Sequence, residues 1–184
     1  MILTTKRLLL REFEEADWRT VLAYQSDPGY LRYYPWDYRT ETDVRAFVRM
    51  FIDWSKEVPR KRFQFAFVLR ESGQLIGNGG IRMQSPHAHS ADLGYELDQR
   101  FWGQGYATEA AQALLAFGFQ SMGLHRIWAQ CIAENVASAH VLEKIGMHYE
   151  GCQREAEWMK NRWWNTLLYA ILDYEWYEQH QKHH

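Results

Sequence analysis

The segment RFWGQGYATEA, which runs from Arg100 to Ala110, has the residue types of a phosphate-binding loop. Two glycines, Gly103 and Gly105, stand two residues apart, and a helix-forming sequence follows at once. Glycine permits a positive φ and lets another group approach the backbone closely. A helix that begins directly after such a loop directs unpaired N–H groups and the positive end of its dipole toward it. The segment therefore predicts a site for a phosphate group.

The glycine spacing by itself leaves other interpretations open. A dinucleotide-binding fingerprint needs a third glycine where Thr108 stands, and it usually lies in the first strand–helix unit. Glu134 ends the next predicted strand, where a ribose-binding acid would stand, so this interpretation is retained. A Walker loop is excluded because Gly-Lys-Ser/Thr is absent. The remaining alternative is a tight turn that binds no ligand.

Length and composition predict one globular domain over residues 1–184. Of the 184 residues, 24% are charged and 47% are hydrophobic, as in ordinary globular proteins. The 21 basic and 23 acidic residues give a net charge of −2, which does not favour a nucleic acid or a membrane surface as partner. No apolar segment has the length of a membrane span, and the first residues lack a signal-peptide core. We expect a cytoplasmic protein.

Cysteine and histidine residues give no metal-site pattern. Cys131 and Cys152 belong to no C-x-x-C pair and lie in predicted strands, so we expect two buried thiols rather than a disulfide or a metal site. His87 and His89 are spaced for one face of a strand, but no further ligand is near in the sequence. We expect both histidines in a solvent-exposed loop.

Hydrophobic periodicity predicts an α/β (α+β) fold, with a mixed sheet of about seven strands flanked by four helices. The predicted strands are Arg7–Phe13, Phe63–Leu69, Leu75–Met83, Ala91–Leu97, Arg126–Ile132, Met147–Glu157 and Asn165–Asp173. The predicted helices are Glu15–Ser26, a segment from Thr40 to about Glu57, Thr108–Met122 and Val136–Ile145, with a peripheral helical tail over 174–184. The second to fourth strands form an antiparallel meander, and a strand–helix alternation follows.

Three motifs in this order resemble the GNAT acetyltransferases. RFWGQGYATEA is similar to their acyl-CoA pyrophosphate loop, Arg/Gln-x-x-Gly-x-Gly/Ala, which Arg100, Gly103 and Gly105 match. ADLGYELD resembles the family's fourth strand, and AENVASAHVLEKIGMHYEG its Asn-bearing helix, with Met147 replacing the usual Phe. The likeness extends from Arg7 to Asp173. QREAEWMKNRWWNTLLYAIL makes it closest to the RimJ/RimL-type branch, which acetylates the N-termini of ribosomal proteins.

The resemblance implies acetyl-CoA as co-substrate and direct attack by an amine in a ternary complex. The strand backbone at Tyr95, Glu96 and Leu97 would pair with the pantetheine arm, with an N–H near Leu97 facing the developing oxyanion. Asn135 would contact the same arm or cap its own helix. The N–H groups that would hold the pyrophosphate belong to Gly103, Gln104, Gly105, Tyr106, Ala107 and Thr108. Thr108 would add a hydroxyl or cap the helix.

The resemblance also implies an acid and a base. Many relatives use a late helical Tyr as acid, but Leu142 occupies that position here. Ser138 shares its helical face and is the implied proton donor to sulfur, unless it only satisfies the helix N-terminus. Glu157 falls on the branch's proposed base, where partial burial among tryptophans would suit its role. Glu96 is the competing base, and a solvated carboxylate is the alternative for either.

The acceptor is predicted less sharply than the cofactor. Tyr33, Tyr34 and Trp36 lie in an aromatic loop of the kind that covers the acceptor in this family, and Tyr169 is a further candidate contact. Each has the alternative of ordinary packing. A ribosomal or other protein N-terminus, a small-molecule amine and an antibiotic all stay open as acceptors, as does a non-catalytic acyl-CoA-binding module. The surplus of aromatic residues also permits a homodimer.

Overall fold

The computed structural model describes residues 1–85 and 87–181, which fold around one eight-stranded mixed sheet. The strand order across the sheet is β1-β2-β3-β4-β5-β6-β8-β7. The strands are β1 (Ile2–Thr4), β2 (Leu8–Arg11), β3 (Arg62–Leu69), β4 (Leu75–Met83), β5 (Ser90–Leu97), β6 (Arg126–Ile132), β7 (His148–Met159) and β8 (Arg162–Leu172). This arrangement confirms the predicted α/β class.

In the part of the chain that the structure describes, six α-helices cover the two faces of the sheet. They are α1 (Trp18–Gln25), α2 (Pro28–Leu31), α3 (Glu41–Trp54), α4 (Tyr106–Ala116), α5 (Val136–Lys144) and α6 (Asp173–Gln181). A capping box begins α3, because the hydroxyl of Thr40 accepts from the N–H of Asp43 and the Asp43 carboxylate accepts from the N–H of Thr40. The last three residues of the predicted helical tail lie outside the described residues.

The predicted meander is confirmed, and the element counts need correction. Strands β3, β4 and β5 pair in antiparallel order, and α4 then leads to β6, which lies parallel to β5. Among the described residues the strand count is eight rather than seven because Ile2–Thr4 pairs with β2, and three residues are too few for a periodicity signal. Residues 1–85 and 87–181 contain six helices: the four predicted ones, the predicted tail helix, observed at Asp173–Gln181, and the short helix Pro28–Leu31, which was not predicted.

Each face of the sheet has its own apolar core. Helices α4, α5 and α6 pack on one face, with Leu114, Leu142 and Trp176 among the buried side chains. Helices α1 to α3 pack on the other face through a second cluster that includes Val21 and Val48. Alternate residues of β5 therefore point to different helical layers.

The outer strand of the sheet explains why one thiol prediction is wrong. Cys131 on β6 is buried as predicted, and burial raises the pKa of its thiol to about 11. Cys152 is exposed, because it lies on β7 at the edge of the sheet, where most side chains remain uncovered. Both cysteines are free. No helix in the described ranges is long and apolar enough to cross a bilayer.

Candidate active site

A cleft opens where strands β5 and β6 separate. The two strands pair only from Ser90 to Asp92, and beyond Asp92 the described chain forms no further β5–β6 pair. The remaining β5 backbone therefore has no strand partner on that side. A cavity of about 270 Å³ lies here, and its walls come from α2 and the loop after it, from β5, from the segment 101–108 and from α5. The cavity is large enough to hold part of an extended ligand.

The glycine-rich loop forms one end of this cavity. Gly103 and Gly105 have φ angles of +72° and +81°, in the left-handed region that favours glycine. Gly105 is also the N-cap of α4, so the helix begins at Tyr106 rather than at the predicted Thr108. Thr108 is then in the first helical turn and lines the cavity without being the cap. The free N–H groups of this turn suit an anion at the cavity mouth.

Arg7, which lies between β1 and β2, supports the glycine-rich loop. Its Nη1 donates to the carbonyl oxygen of Gln104 at 2.9 Å, and its Nε donates to Glu109 at 2.6 Å. The guanidinium lies 4.2 Å from the centre of the Tyr106 ring. The backbone N–H of Arg7 also donates to Glu109. Arg7 thus links the loop to the first turn of α4 and adds a positive charge beside it.

Glu96 lies at the inner end of the cavity, on the β5 face that meets α1 to α3. Its Oε1 accepts hydrogen bonds from Tyr24, Gln25 and Asn78 at 2.6–2.8 Å. Its Oε2 accepts from Tyr30 at 2.9 Å and from Tyr34 at the longer distance of 3.4 Å. Within the described chain no Lys, Arg or His forms an ion pair with this carboxylate. Hydrogen bonds from neutral donors therefore stabilise this carboxylate.

The phenols around Glu96 are held in their neutral form. Burial, and then the negative charge of Glu96, raise the pKa values of Tyr24, Tyr30 and Tyr34 well above their usual range. A phenol whose pKa is raised stays protonated at neutral pH, so all three remain hydrogen-bond donors. Oε2 has fewer and longer contacts than Oε1, so it is the oxygen with room for a further hydrogen-bond donor.

Two hydroxyl groups also line this cavity, that of Tyr95 on β5 and that of Ser138 on α5. The Tyr95 hydroxyl donates to the carbonyl oxygen of Ser138 at 3.1 Å and lies 3.2 Å from its Oγ. Asn135 is the N-cap of α5, and its Oδ1 accepts from the N–H of Ser138 at 3.2 Å. The Ser138 hydroxyl is therefore not the cap. Burial raises the pKa of Tyr95 above its usual range, so this phenol also stays protonated.

Comparison with known families decides the class of protein. The family model described as an acetyltransferase (GNAT) domain matches residues 7–148, which is more than half of the chain. The chain belongs to the GNAT acetyltransferase family. It is accordingly an acetyltransferase, and the co-substrate of this family is acetyl-CoA.

Individual relatives agree with this family over nearly the whole chain. An uncharacterized N-acetyltransferase of Bacillus subtilis, YnaD, is 40% identical over 176 residues, covering 96% of this chain and 99% of its own. The crystal structure of a GNAT acetyltransferase from Bacillus anthracis has a TM-score of 0.82 at 37% identity, covering 95% of this chain and 99% of that one. The [ribosomal protein uS5]-alanine N-acetyltransferase of Escherichia coli is 25% identical over 182 residues, covering 95% and 92%.

Most of the predicted acetyl-CoA contacts line the GNAT cleft. They are Tyr95, Glu96, Leu97, Gly103, Gly105, Tyr106, Ala107, Thr108, Asn135 and Ser138. Two loop residues differ. The Arg100 guanidinium binds Asp98 and its side chain is 67% exposed, so it turns away from the cleft. The Gln104 side chain donates to the carbonyl oxygen of Arg100, and only its backbone remains a candidate contact.

Three predicted side chains lie outside the cleft. Glu157 is exposed near the end of β7, so the partial burial expected for it is absent. Tyr169 is buried in the core, where its hydroxyl donates to Glu143, and burial followed by this bond raises its pKa to about 12. Trp36 stacks on Tyr34 with ring centres 5.2 Å apart. For Tyr169 and Trp36, the alternative of ordinary packing agrees with the structure.

The aromatic loop after α2 spans the outer side of the cleft. Tyr33 lines the cavity and donates to the carbonyl oxygen of Glu134 at 3.1 Å. Lys160, in the turn between β7 and β8, donates to the carbonyl oxygen of Trp36 at 2.7 Å and to Asp37. Tyr34 lines the cavity from the same loop. The loop therefore connects α2 to both the β6–α5 segment and the β7–β8 turn.

Several contributors to the site were not predicted. Arg7, the Tyr95 hydroxyl and three donors to Glu96 carry no local motif, since their partners lie far away in the chain; the three donors are Tyr24, Gln25 and Asn78. Asn78 and Gln64 are both polar and buried, and this points to a functional site. Their burial can be recognised only once the strand pairing is known. In residues 1–85 and 87–181, no group of three or more His, Cys, Asp or Glu is placed to hold a metal ion.

We expect Arg7→Gln to weaken acetyl-CoA binding about tenfold, because the variant loses a charge-assisted bond to the loop. Turnover at saturating acetyl-CoA should stay within about twofold, since Arg7 does not line the cleft. Isothermal titration with acetyl-CoA measures the first effect. Arg45→Gln is a matched control, because Arg45 also pairs with a glutamate and lies 4.1 Å from an aromatic ring centre, far from the loop. Equal affinities for both variants would contradict this role.

Proposed function

We propose that this protein transfers the acetyl group of acetyl-CoA to a primary amine by direct attack within a ternary complex. One observation carries the proposal. Glu96 and the Tyr95–Ser138 hydroxyl pair face the same cleft, which the glycine-rich loop closes at its other end. A base, a proton donor and an anion site thus share one cavity in a GNAT chain.

Glu96 is the proposed base. Oε2 of Glu96 takes a proton from the bound ammonium. The neutral amine nitrogen then forms a bond to the thioester carbonyl carbon and loses its second proton to solvent. Carboxylate charge at this point also favours binding of the acceptor as an ammonium ion. Glu157, the base implied by the branch resemblance, is exposed and does not line the cleft. Glu96 is therefore the better supported of the two carboxylates.

The hydroxyl pair is the proposed proton source for the leaving group. When the carbon–sulfur bond breaks, the thiolate receives a proton from Ser138 or Tyr95, and solvent restores the donor. Tyr95 supplies from β5 the phenol that position 142 of α5 lacks. An N–H of the unpaired β5 edge near Leu97 is the proposed oxyanion donor.

A protein N-terminus is the first acceptor to test. The relative from Escherichia coli named a [ribosomal protein uS5]-alanine N-acetyltransferase supports this acceptor, and it covers nearly all of this chain. A small amine is the second candidate, because a spermidine N-acetyltransferase from Vibrio cholerae shares the fold with a TM-score of 0.79 at 20% identity. Cytoplasmic location and homodimer formation remain predictions from the sequence.

Calorimetric titration with acetyl-CoA, with NADH as control, tests the proposal together with an assay for amine-dependent thiol release. We expect one-to-one binding of acetyl-CoA alone and thiol release that requires an amine. Binding of NADH would instead support the dinucleotide interpretation. Acetyl-CoA binding with no acetylation of any peptide or small amine would support the non-catalytic module.

We expect the double variant Tyr95→Phe/Ser138→Ala to lower kcat roughly 10²-fold, with acetyl-CoA affinity unchanged within about threefold. The variant removes both hydroxyls that face the thioester but no backbone contact. The rate of thiol release at saturating concentrations of both substrates measures kcat. Tyr169→Phe is the control, since this buried phenol binds Glu143 outside the cleft. An equal loss of kcat in Tyr169→Phe would mean that removing a buried phenol lowers turnover only through the stability of the fold.

A further inference from the structure

A second cavity lies next to the cleft, on the sheet face that meets α3. It encloses about 300 Å³ and shares Tyr34, Tyr95, Glu96 and Ser138 with the first cavity, so these four side chains stand at the junction. Its other polar walls are Gln64, Asn78, Arg82 and Gln130. A molecule whose amine reaches Glu96 from this side would leave the first cavity free for acetyl-CoA.

Gly94 makes room for a guanidinium on the cavity floor. Gly80 and Gly94 face each other across β4 and β5. A Cβ at Gly94 would lie 2.6 Å from Nη2 of Arg82, so the guanidinium lies directly over Gly94. Arg82 is thus held above the sheet at a position that any larger residue at 94 would disturb.

Arg82 is neutralised but keeps donors for a ligand. Its Nε donates to Asp92 at 2.8 Å, Nη2 donates to the same carboxylate, and Nη1 donates to Gln64 at 2.8 Å. A guanidinium has five N–H donors, so two remain after these three bonds. Gln64 in turn donates to Asn78 at 2.7 Å, and Asn78 donates to Glu96. Arg82 and Glu96 therefore stand at the two ends of one hydrogen-bonded row.

The charges along this hydrogen-bonded row favour an acceptor with one ammonium group and disfavour an acceptor with a second. Asp92 cancels the charge of Arg82, which leaves Glu96 as the one uncompensated charge among the described side chains that line the second cavity. A second ammonium on the acceptor would meet the remaining N–H donors of this neutralised pair and no unpaired carboxylate, and burying an unpaired ammonium is costly. A carbonyl oxygen would instead accept from the free donors of Arg82.

The spacing matches a short extended peptide. Arg82 lies over Gly94, which precedes Glu96 by two residues, or about 6.6 Å along the strand. Two residues of extended peptide span about the same length, roughly 6.6–7.2 Å. An α-amine bound at Glu96 would therefore place the carbonyl of the second residue near Arg82.

We propose that the second cavity binds the first two residues of a peptide acceptor, with Arg82 as the donor to a backbone carbonyl, and that it selects against polyamines. This inference depends on the proposed acetyltransferase function and assigns its acceptor class to particular residues. Arg82 is a specificity-determining residue here, since it contacts the acceptor and not the reacting atoms.

Rates with three acceptors test the inference: alanyl-alanine amide, pentylamine and spermidine, each followed by thiol release from acetyl-CoA. We expect kcat/KM for the dipeptide amide to exceed that for either other amine at least about tenfold, since neither of those amines offers a carbonyl oxygen to the Arg82 donors. Arg82→Met should reduce this preference to about threefold or less. The change should raise KM for the dipeptide amide while KM for acetyl-CoA stays the same.

Arg126→Met is the matched control, because Arg126 also forms a two-point ion pair with a carboxylate at similar exposure but outside both cavities. It should keep the wild-type preference. Gly94→Ala is a second test that keeps Arg82 and displaces its guanidinium, and it replaces Arg82→Met if that variant does not fold. Equal use of pentylamine or spermidine by the wild type, or an unchanged preference in Gly94→Ala, would overturn the inference. A wild type that acetylates no amine at all would instead contradict the proposed function.

Discussion

Glu96→Gln should lower kcat by roughly 10²- to 10⁴-fold, the range for loss of a positioned general base. Acetyl-CoA affinity should change less than about twofold, because the glycine-rich loop lies at the other end of the cleft. The amide keeps the size of the side chain but cannot take a proton from the amine. Single-turnover thiol release with saturating acceptor separates this effect from weaker acceptor binding.

Two further variants make this test specific. Glu157→Gln removes an exposed carboxylate outside the cleft and should keep wild-type turnover. Glu96→Asp keeps the charge but shortens the side chain, so an intermediate loss is expected. If Glu157→Gln lost turnover and Glu96→Gln kept it, the base would be Glu157, as the branch resemblance implies. Thermal unfolding of each variant checks that the Glu96 network has not collapsed.

Gly103→Val should weaken acetyl-CoA binding about 10- to 100-fold, which corresponds to the loss of one charge-assisted hydrogen bond to phosphate. Valine does not adopt the φ of +72° observed at this position without strain, so the loop must change conformation. The N–H groups that face the cleft then lose their alignment. Isothermal titration with acetyl-CoA measures the change.

Gly123→Val separates this effect from general destabilisation. Gly123 has a φ of +65°, and a Cβ there, as at Gly103, would meet no atom within 4 Å. Both variants should therefore lose similar unfolding free energy, about 1–2 kcal/mol, from the left-handed backbone. Only Gly103→Val should lose acetyl-CoA affinity. Parallel losses of affinity in both variants would contradict a pyrophosphate role for the loop.

The element order and the glycine-rich loop were predictable because their signals are local. Strand alternation predicted the first and last residues of β3 to β6 to within one residue of those observed. The two glycines indicated left-handed backbone before a helix, which the structure confirms at Gly103 and Gly105. Neighbouring residues alone decide such features, so a linear pattern is enough to recognise them.

The surroundings of the two competing carboxylates were not predictable in this way. Glu96 and its donor Tyr24 are 72 residues apart, and they meet only because α1 packs on the face of β5 that Glu96 occupies. Glu157 and Cys152 are exposed because β7 forms the outer edge of the sheet. Strand order determines both facts, and strand order depends on pairing between distant segments.

The sequence by itself therefore determined the family resemblance, the fold class and the position of the glycine-rich loop, all of which depend on local backbone preferences and short motifs. The tertiary structure alone decided which carboxylate faces the cleft, which hydroxyl stands beside Ser138 and where Arg82 lies over Gly94. The physical reason is that these contacts depend on sheet register and helix packing, which bring together residues that are far apart in the chain.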